Sequence, residues 1–227
     1  MKLTYHGQSC FVIESGEHRL VIDPFLSGNP NAVAKPEDIK VQWVVLTHGH
    51  SDHVLDAETI ARNNNATIIA ANELAVYYAS KGLNVHPMGI GGKRDFPFGR
   101  VKVTLAFHGS GVETENGLVY VGPPVGFLLT LEGKTIYHAG DTGLFGDMKI
   151  LGELNTIDLA LLPIGDNFTM GPDDALIAAE WLKAKKVIPM HYNTFPLIAQ
   201  DGAKFVADCK ARGIDAVELK IGETFEL

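Results

Sequence analysis

The chain has 227 residues, of which 46% are hydrophobic and 20% charged, and this composition predicts a single α/β domain over residues 1–227. Its 19 Lys and Arg residues and 27 Asp and Glu residues give a net charge of −8, which argues against a nucleic-acid-binding protein. No apolar run reaches the roughly 18 residues of a membrane span, no secretory signal is visible, and the two cysteines do not form a disulfide framework, so we expect a cytoplasmic protein.

The first half of the chain alternates short apolar runs with helical patterns, which is typical of strands flanked by helices. The predicted elements, in chain order, are the hairpin strands CFVIES and RLVIDP, the strand QWVVLTH, the helix DAETIARNNN, the strand ATIIAA and the helix NELAVYYASKG. Asp56 is expected to cap the first of these helices. Gly82 is expected to end the second in the left-handed conformation.

The second half repeats this alternation. Its predicted elements are the strands RVKVTLAFH, GFLLTLEG, TIYHAGD, IDLALLPI and KVIPMH, the helices PDDALIAAEWLKAKK and AQDGAKFVADCKARG, and a final strand pair within DAVELKIGETFEL. Residues 25–40 and 109–125 are rich in Gly, Pro and Asn, so we expect irregular functional loops there. Strands followed by helices in both halves are consistent with two sheets packed face to face and helices outside.

Five apolar runs end on a residue that can bind a metal ion. These residues are Asp23, His48, His108, Asp141 and His191. Because strand ends along one edge of a layered sheet lie close together, we expect the five side chains to meet where ligand clefts form. Imidazole nitrogen and carboxylate oxygen are common ligands of divalent transition metals.

The segment HGHSDH adds further ligands. His48 and His50 are two residues apart and therefore point to the same side of an extended segment, while a turn after Ser51 can bring Asp52 and His53 to a neighbouring position. One ion needs four to six ligands, whereas two ions roughly 3.5–4 Å apart use seven if one carboxylate bridges them. The seven predicted ligands are His48, His50, Asp52, His53, His108, Asp141 and His191.

This pattern resembles the metallo-β-lactamase superfamily of metal-dependent hydrolases, in particular the branch of the UPF0173 hydrolases and ascorbate-6-phosphate lactonase. The supporting segments span nearly the whole chain and are VIDPFLSGNP, THGHSDH, HGSG, YHAGDTG, LPIGDNFTMGP and IPMHYNT. The resemblance implies a four-layer αββα sandwich, in which two mixed sheets pack face to face with helices outside.

The resemblance also implies a role for each site residue. The first metal position would take His48, His50 and His108, and the second would take Asp52, His53 and His191, with Asp141 bridging the two. Asp23 would fix a ligand imidazole from behind, and His138 is expected to make hydrogen bonds behind the ligands rather than to bind metal. The residues expected near the substrate are Gln8, where relatives often have His, together with Asn167 and Asn193, for which a role in turns is an equal alternative.

The predicted function is hydrolysis of a small ester, lactone or phosphodiester by a hydroxide that bridges two divalent ions, with Asp52 as a proton acceptor. We expect zinc, with manganese, iron and nickel as alternatives. An anionic substrate is possible despite the net negative charge of the chain, because bound cations can dominate the local electrostatic field. The alternative is a non-hydrolytic metal protein, either a di-iron redox protein or a metal-dependent binding or sensing module. The apolar segment GPPVGF is a candidate contact for a homo-oligomer.

Overall fold

The computed structural model describes all residues from Met1 to Leu227. It contains fifteen strands and six α-helices. The strands are β1 (Lys2–Tyr5), β2 (Phe11–Ser15), β3 (His18–Ile22), β4 (Trp43–Leu46), β5 (Thr67–Ala71), β6 (Val85–Met88), β7 (Lys93–Phe96), β8 (Gly99–Leu105), β9 (Gly111–Thr114), β10 (Gly117–Tyr120), β11 (Val125–Leu131), β12 (Lys134–His138), β13 (Leu159–Pro163), β14 (Val187–Met190) and β15 (Thr224–Glu226). The helices are α1 (Ser51–Val54), α2 (Ala57–Asn64), α3 (Asn72–Ser80), α4 (Asp147–Leu154), α5 (Pro172–Leu182) and α6 (Gly202–Ala211).

Two large mixed sheets form the centre of the molecule. The first has seven strands in the order β15-β1-β2-β3-β4-β5-β6, and the second has six in the order β14-β13-β12-β11-β8-β7. Strands joined by tight turns pair antiparallel, as β2 does with β3 and β11 does with β12. Strands joined through helices pair parallel, as β4 does with β5 and β13 does with β14. This is the expected consequence of loop length, because a parallel connection needs a crossover.

The apolar side chains form three buried layers. A cluster of 23 residues from both sheets fills the space between them, and two further clusters pack helices onto the outer faces. Neighbouring residues of β4 show the alternation, since Val45 belongs to the central cluster and Val44 packs against the outer helices. The result is the αββα sandwich that the sequence predicts. None of its helices combines the length and the apolar character needed to cross a membrane.

Three of the predictions about local structure are wrong in whole or in part. Residues 109–125 are not irregular, because β9 and β10 form a separate hairpin there. Asp56 occupies the N-cap position of α2 as predicted, but its carboxylate makes no capping hydrogen bond; it accepts hydrogen bonds from the backbone of Leu26 and Ser27 instead, and so holds the loop that follows β3. The end of the chain does not form a strand pair, because β15 pairs with β1, and Ala216 makes only an isolated bridge to Val187.

The segment GPPVGF is covered by its own chain. Five of its six residues, from Gly122 to Phe127, are buried, and Val125 and Phe127 belong to the cluster between the sheets. Its apolar character is therefore explained by core packing in β11. The segment no longer indicates a contact with a second copy.

Candidate metal centre

The candidate site lies beyond one end of the sheets. Asp23, His48, His108, Asp141 and His191 each follow a strand within three residues of its last position. The strands concerned are β3 and β4 of the first sheet and β8, β12 and β14 of the second. The rims of both sheets thus supply side chains to one place, as the positions of the strand ends predict.

Three imidazoles converge at the first part of the site. His48 Nε2 and His50 Nδ1 are 3.0 Å apart, and His108 Nε2 lies 3.1 Å from the same His50 nitrogen. Nitrogen ligands of a tetrahedral zinc ion, each about 2.0–2.1 Å from the metal, lie roughly 3.3 Å from one another. The spacing of these three nitrogens therefore fits the face of a metal coordination sphere.

Two imidazoles and two carboxylates form the second part. Ligand atoms of Asp52, His53, Asp141 and His191 all lie within 4.8 Å of one another. Asp141 Oδ2 is 2.9 Å from His191 Nε2 and 3.2 Å from His53 Nε2. The same oxygen is 3.5 Å from His108 Nε2 in the first set. Asp141 thus contacts both parts of the cluster, which is the position that a bridging carboxylate needs.

Several buried polar atoms of the cluster have close polar neighbours but make no hydrogen bond of acceptable geometry. They include His53 Nε2, His191 Nε2 and Asp141 Oδ1. Leaving a buried donor or acceptor unpaired costs about 1–3 kcal/mol, and more for charged groups. A bound cation would satisfy these atoms together, so the donor set fits a metal ion better than it fits a network of hydrogen bonds.

The charges of the cluster compensate one another through perturbed pKa values. Burial opposes protonation of His53, but the carboxylates of Asp141, Asp52 and Asp23 outweigh it and raise the imidazole pKa well above its ordinary value. Burial likewise opposes the charge on His191, yet Asp141 and Asp52 raise its pKa to about 9. Burial would raise the pKa of Asp141, but the imidazoles of His191 and His53 hold it well below its usual range. The buried carboxylates thus favour positive charge in this part of the cluster.

Asp23 fixes the orientation of His53 and is itself held by Thr47. Asp23 Oδ2 accepts a hydrogen bond of 2.8 Å from His53 Nδ1, which leaves His53 Nε2 directed at the cluster. Both carboxylate oxygens of Asp23 also accept from Thr47, one from its backbone N–H and one from its hydroxyl. The fully buried Asp23 therefore lies behind the cluster, where the sequence expectation placed it.

His138 is buried and lies away from the cluster atoms. Its Nε2 is 3.0 Å from the Ser9 carbonyl oxygen, and its Nδ1 accepts from the Gly140 N–H at 3.2 Å. Gly140 has a φ of +64°, and a Cβ there would lie 2.7 Å from the Val125 carbonyl oxygen, so only glycine fits this approach. His138 thus positions the loop that carries Asp141.

The three residues expected near the substrate occupy different places. Gln8 is buried, and its Nε2 donates to Asp52 Oδ2 at 2.7 Å. Asn193 accepts from the Gln200 N–H at 2.8 Å, which is a turn contact, and Asn167 lies on an exposed turn. A cavity of about 350 Å³ above the cluster is lined by Gln8, but not by Asn167 or Asn193.

Sequence reasoning missed the apolar walls of this cavity. Side chains from four separate segments line it, namely Phe25, Leu118, Phe168, Phe195 and Ile198. Single apolar residues in Gly- and Asn-rich loops have no periodicity that predicts their partners. One signal was available in the sequence. Three phenylalanines each lie within four residues of Asp23, Asn167 or Asn193, which were already candidate site residues in these loops.

Comparison with known proteins gives a family consistent with this geometry. Residues 2–191 match the family described as a beta-lactamase superfamily domain. The UPF0173 metal-dependent hydrolase YtkL of Bacillus subtilis is 60% identical over 229 residues, covering 100% of both chains. A UPF0173 metal-dependent hydrolase of Bacillus licheniformis is 58% identical, covering 100% of this chain and 99% of its own.

Solved structures show the same fold. Igni18, a metallo hydrolase from Ignicoccus hospitalis, is 37% identical with a TM-score of 0.90 and covers 100% of this chain and 98% of its own. An isothiocyanate hydrolase from Delia radicum gut bacteria is 22% identical with a TM-score of 0.79, covering 100% and 99%, and shows similarity of fold alone. The chain therefore belongs to the beta-lactamase superfamily and, within it, to the metal-dependent hydrolases. Its relatives over the full length are UPF0173 proteins.

Proposed function

We propose that this hydrolase holds two divalent cations, zinc first among them, and cleaves a small ester, lactone or phosphodiester. The observation that carries the proposal is the convergence of seven nitrogen and oxygen ligands into two adjoining sets that share Asp141. Two cations at such a site lower the pKa of bound water and supply a hydroxide nucleophile near neutral pH. We also propose that residues 1–227 act as one domain in the cytoplasm, in line with two free, buried cysteines.

The side chains around the cluster have separate roles in this proposal. His48, His50 and His108 would hold one cation, while Asp52, His53 and His191 would hold the other. The Oδ2 atom of Asp52 makes the contacts with Gln8, His53 and His191, which leaves Oδ1 without a side-chain partner and free to accept a proton. The Gln8 amide keeps this carboxylate in place.

A metal-reloading assay tests the proposed function. Metal-stripped protein would be reloaded separately with zinc, manganese, iron or nickel and assayed on esters, lactones and phosphodiesters. We expect at least one metal to restore turnover and His50→Ala to lower kcat/KM by at least about 100-fold. His86→Ala is the matched control, because His86 lies on β6 and does not line the cavity. Turnover that survives both chelation and His50→Ala would contradict the proposal.

A further inference from the structure

The cavity above the candidate metal centre has an apolar wall. Five of its 14 lining residues are hydrophobic, and they come from loops after β3, β13 and β14 and from β10. Phe25 and Phe195 are adjacent, with ring centroids 6.2 Å apart. Phe168 lies in the loop after β13, and Leu118 lies on the β9–β10 hairpin. Four segments far apart in sequence thus present apolar side chains to one opening.

Three of these side chains are exposed to solvent at the mouth of the cavity, whereas Phe25 and Ile198 are buried. Leu118 is 70% exposed, Phe168 54% and Phe195 38%. A single exposed apolar residue needs no explanation, but several around one concave site with convergent polar groups are typical of a ligand pocket. Covering this apolar surface with an apolar group is favourable, because it removes the surface from water. A substrate held at the metal centre is the group that reaches this position.

Outside the candidate ligands, the same cavity has no cationic side chain. None of its lining residues is Lys or Arg, and the one charged side chain outside the candidate ligands is Glu113. Recognition of a phosphate or carboxylate substituent ordinarily uses Arg or Lys. The cationic cluster of this chain lines a different cavity, of about 460 Å³, whose lining includes Lys93, Arg100, Lys102, Lys134 and Lys185. The two cavities share no lining residue.

We infer that the substrate carries an apolar, uncharged arm, which packs on Phe25, Phe168, Phe195 and Leu118 while its scissile group lies at the metal centre. This inference rests on the proposed function and narrows its substrate class. Glu113 at the opening disfavours an arm with a terminal carboxylate or phosphate, because like charges repel where water is partly excluded. The cavity volume, near the lower end for ligand pockets, suits an arm about the size of a hexanoyl or phenyl group.

A series of aryl esters that all have the same leaving group tests this inference on the metal-loaded enzyme. The acyl groups are acetyl, butanoyl and hexanoyl, together with hemiglutaryl and its neutral methyl ester. We expect kcat/KM to rise up to about fourfold per buried methylene, so that hexanoate exceeds acetate by more than tenfold. The methyl glutaryl ester should exceed the hemiglutarate by more than tenfold.

Variants assign the preference to particular side chains. Phe195→Ala and Phe168→Ala should each reduce the ratio of hexanoate to acetate kcat/KM by at least about threefold. Leu197→Ala is the control, since Leu197 is 69% exposed near Phe195 but does not line the cavity, and it should keep the wild-type ratio. Glu113→Gln should raise kcat/KM for the hemiglutarate relative to its methyl ester.

The outcomes separate this inference from the proposed function. If no ester, lactone or phosphodiester is turned over with any metal, the proposed function fails. If turnover occurs but acetate equals hexanoate, or hemiglutarate equals its methyl ester, the hydrolase stands and the apolar arm is wrong. Binding of the neutral fluorophore N-phenyl-1-naphthylamine gives a readout without turnover. We expect Phe195→Ala to weaken its binding and Leu197→Ala not to; equal binding by both variants would overturn the inference.

Discussion

At the residue scale, the contacts of His53 show how one candidate ligand is held in place. Its Nδ1 is 2.8 Å from Asp23, and its Nε2 points into the cluster without a hydrogen-bond partner. Because Asp23 can only accept, it holds a proton on Nδ1 and leaves Nε2 as the nitrogen that a cation would bind. Asp23 itself has a φ of +45°, a strained conformation that persists only where surrounding contacts enforce it.

Replacing Asp23 by Asn is expected to weaken metal binding. The amide can donate to His53 Nδ1 and so favour the tautomer with the proton on Nε2, where the metal would bind. We expect the metal affinity to fall by about 10–100-fold, as for other partners of ligand histidines. Competition with a chromogenic chelator measures the affinity, and Asp95→Asn, at an exposed carboxylate on β7, is the control. Equal affinity in wild type and Asp23→Asn would contradict this role.

The candidate ligands could be predicted from the identity of the residues, whereas the residues of the cavity walls could not. His48 and Asp141 stand out in the sequence because each ends an apolar run and has a side chain that can bind a metal ion. Phe168 and Phe195 are ordinary residues in loops, and only the packing of distant segments brings them to the same opening. Gln8 is intermediate: the sequence marked its position, but its contact with Asp52 depends on the three-dimensional approach of residues 44 positions apart.

At the scale of the elements, helices α4 and α5 pack closely at one glycine. A Cβ at Gly152 would lie 2.1 Å from the Trp181 carbonyl oxygen. Because this neighbour is backbone, it cannot move aside as a flexible side chain can. We expect Gly152→Ala to lower the free energy of unfolding by about 1–3 kcal/mol, as overpacking does, when measured by chemical denaturation.

Gly146→Ala is the matched control for this helix pair. Gly146 directly precedes α4, and a Cβ there would meet no atom within 4 Å. We expect it to leave the stability nearly unchanged. If Gly152→Ala were as stable as Gly146→Ala, the close approach of α4 and α5 would be in error.

Asp158 joins three elements of the second sheet through its carboxylate. It accepts hydrogen bonds from the Thr135 backbone N–H at 2.9 Å and from Lys185 Nζ at 2.8 Å. Burial alone would raise the pKa of this carboxyl, but these bonds and the charges of Lys185 and Lys134 hold it below its ordinary value. A lowered folded pKa means that stability is present above the unfolded pKa of about 3.9 and is lost as the pH falls through the folded value.

Asp158→Asn is therefore expected to have a pH-dependent effect. At pH 7 we expect it to lower the free energy of unfolding by about 1–2 kcal/mol. The difference from wild type should shrink below about pH 4, where the wild-type carboxyl is protonated too. Urea denaturation of metal-free protein at several pH values measures this, and Asp95→Asn, at an exposed pair, should show little change. A difference that stays constant down to pH 3 would contradict the assignment.

The elements with clear periodicity were predictable, and the exposed ones were not. Strands such as β4 and β13 are apolar on both faces and stand out in the sequence. The β9–β10 hairpin lacks this pattern because every residue of β10 is exposed. Its one available signal was Asn116-Gly117, a dipeptide that favours tight hairpin turns.

At the scale of the whole molecule, the candidate metal centre lies between the rims of the two sheets. His48 and His53 follow β4 of the first sheet, whereas Asp141 and His191 follow strands of the second. Cations bound among them would stabilise the packing of one sheet on the other. The sequence predicted the two-sheet architecture, but not the order of strands within each sheet, because that order depends on contacts between distant segments.

Removal of metal should therefore lower the thermal stability of the whole fold. A ligand that binds only the native state stabilises it by about 2.7 kcal/mol at 100 times its dissociation constant. We expect a chelator to lower Tm and added metal to restore it, as measured by differential scanning calorimetry. The His191→Ala variant should show a smaller shift because one ligand is lost. A wild-type Tm that is unaffected by chelation would contradict the link between the centre and the fold.

We propose that seven side chains hold two cations at the rim of the sandwich. Anomalous diffraction from crystals of metal-loaded protein, recorded at the absorption edge of the metal, tests it most directly. We expect two peaks roughly 3.5–4 Å apart, with Asp141 in contact with both. A map with no peak among these side chains, or with a single peak that leaves one set of ligands unused, would contradict it.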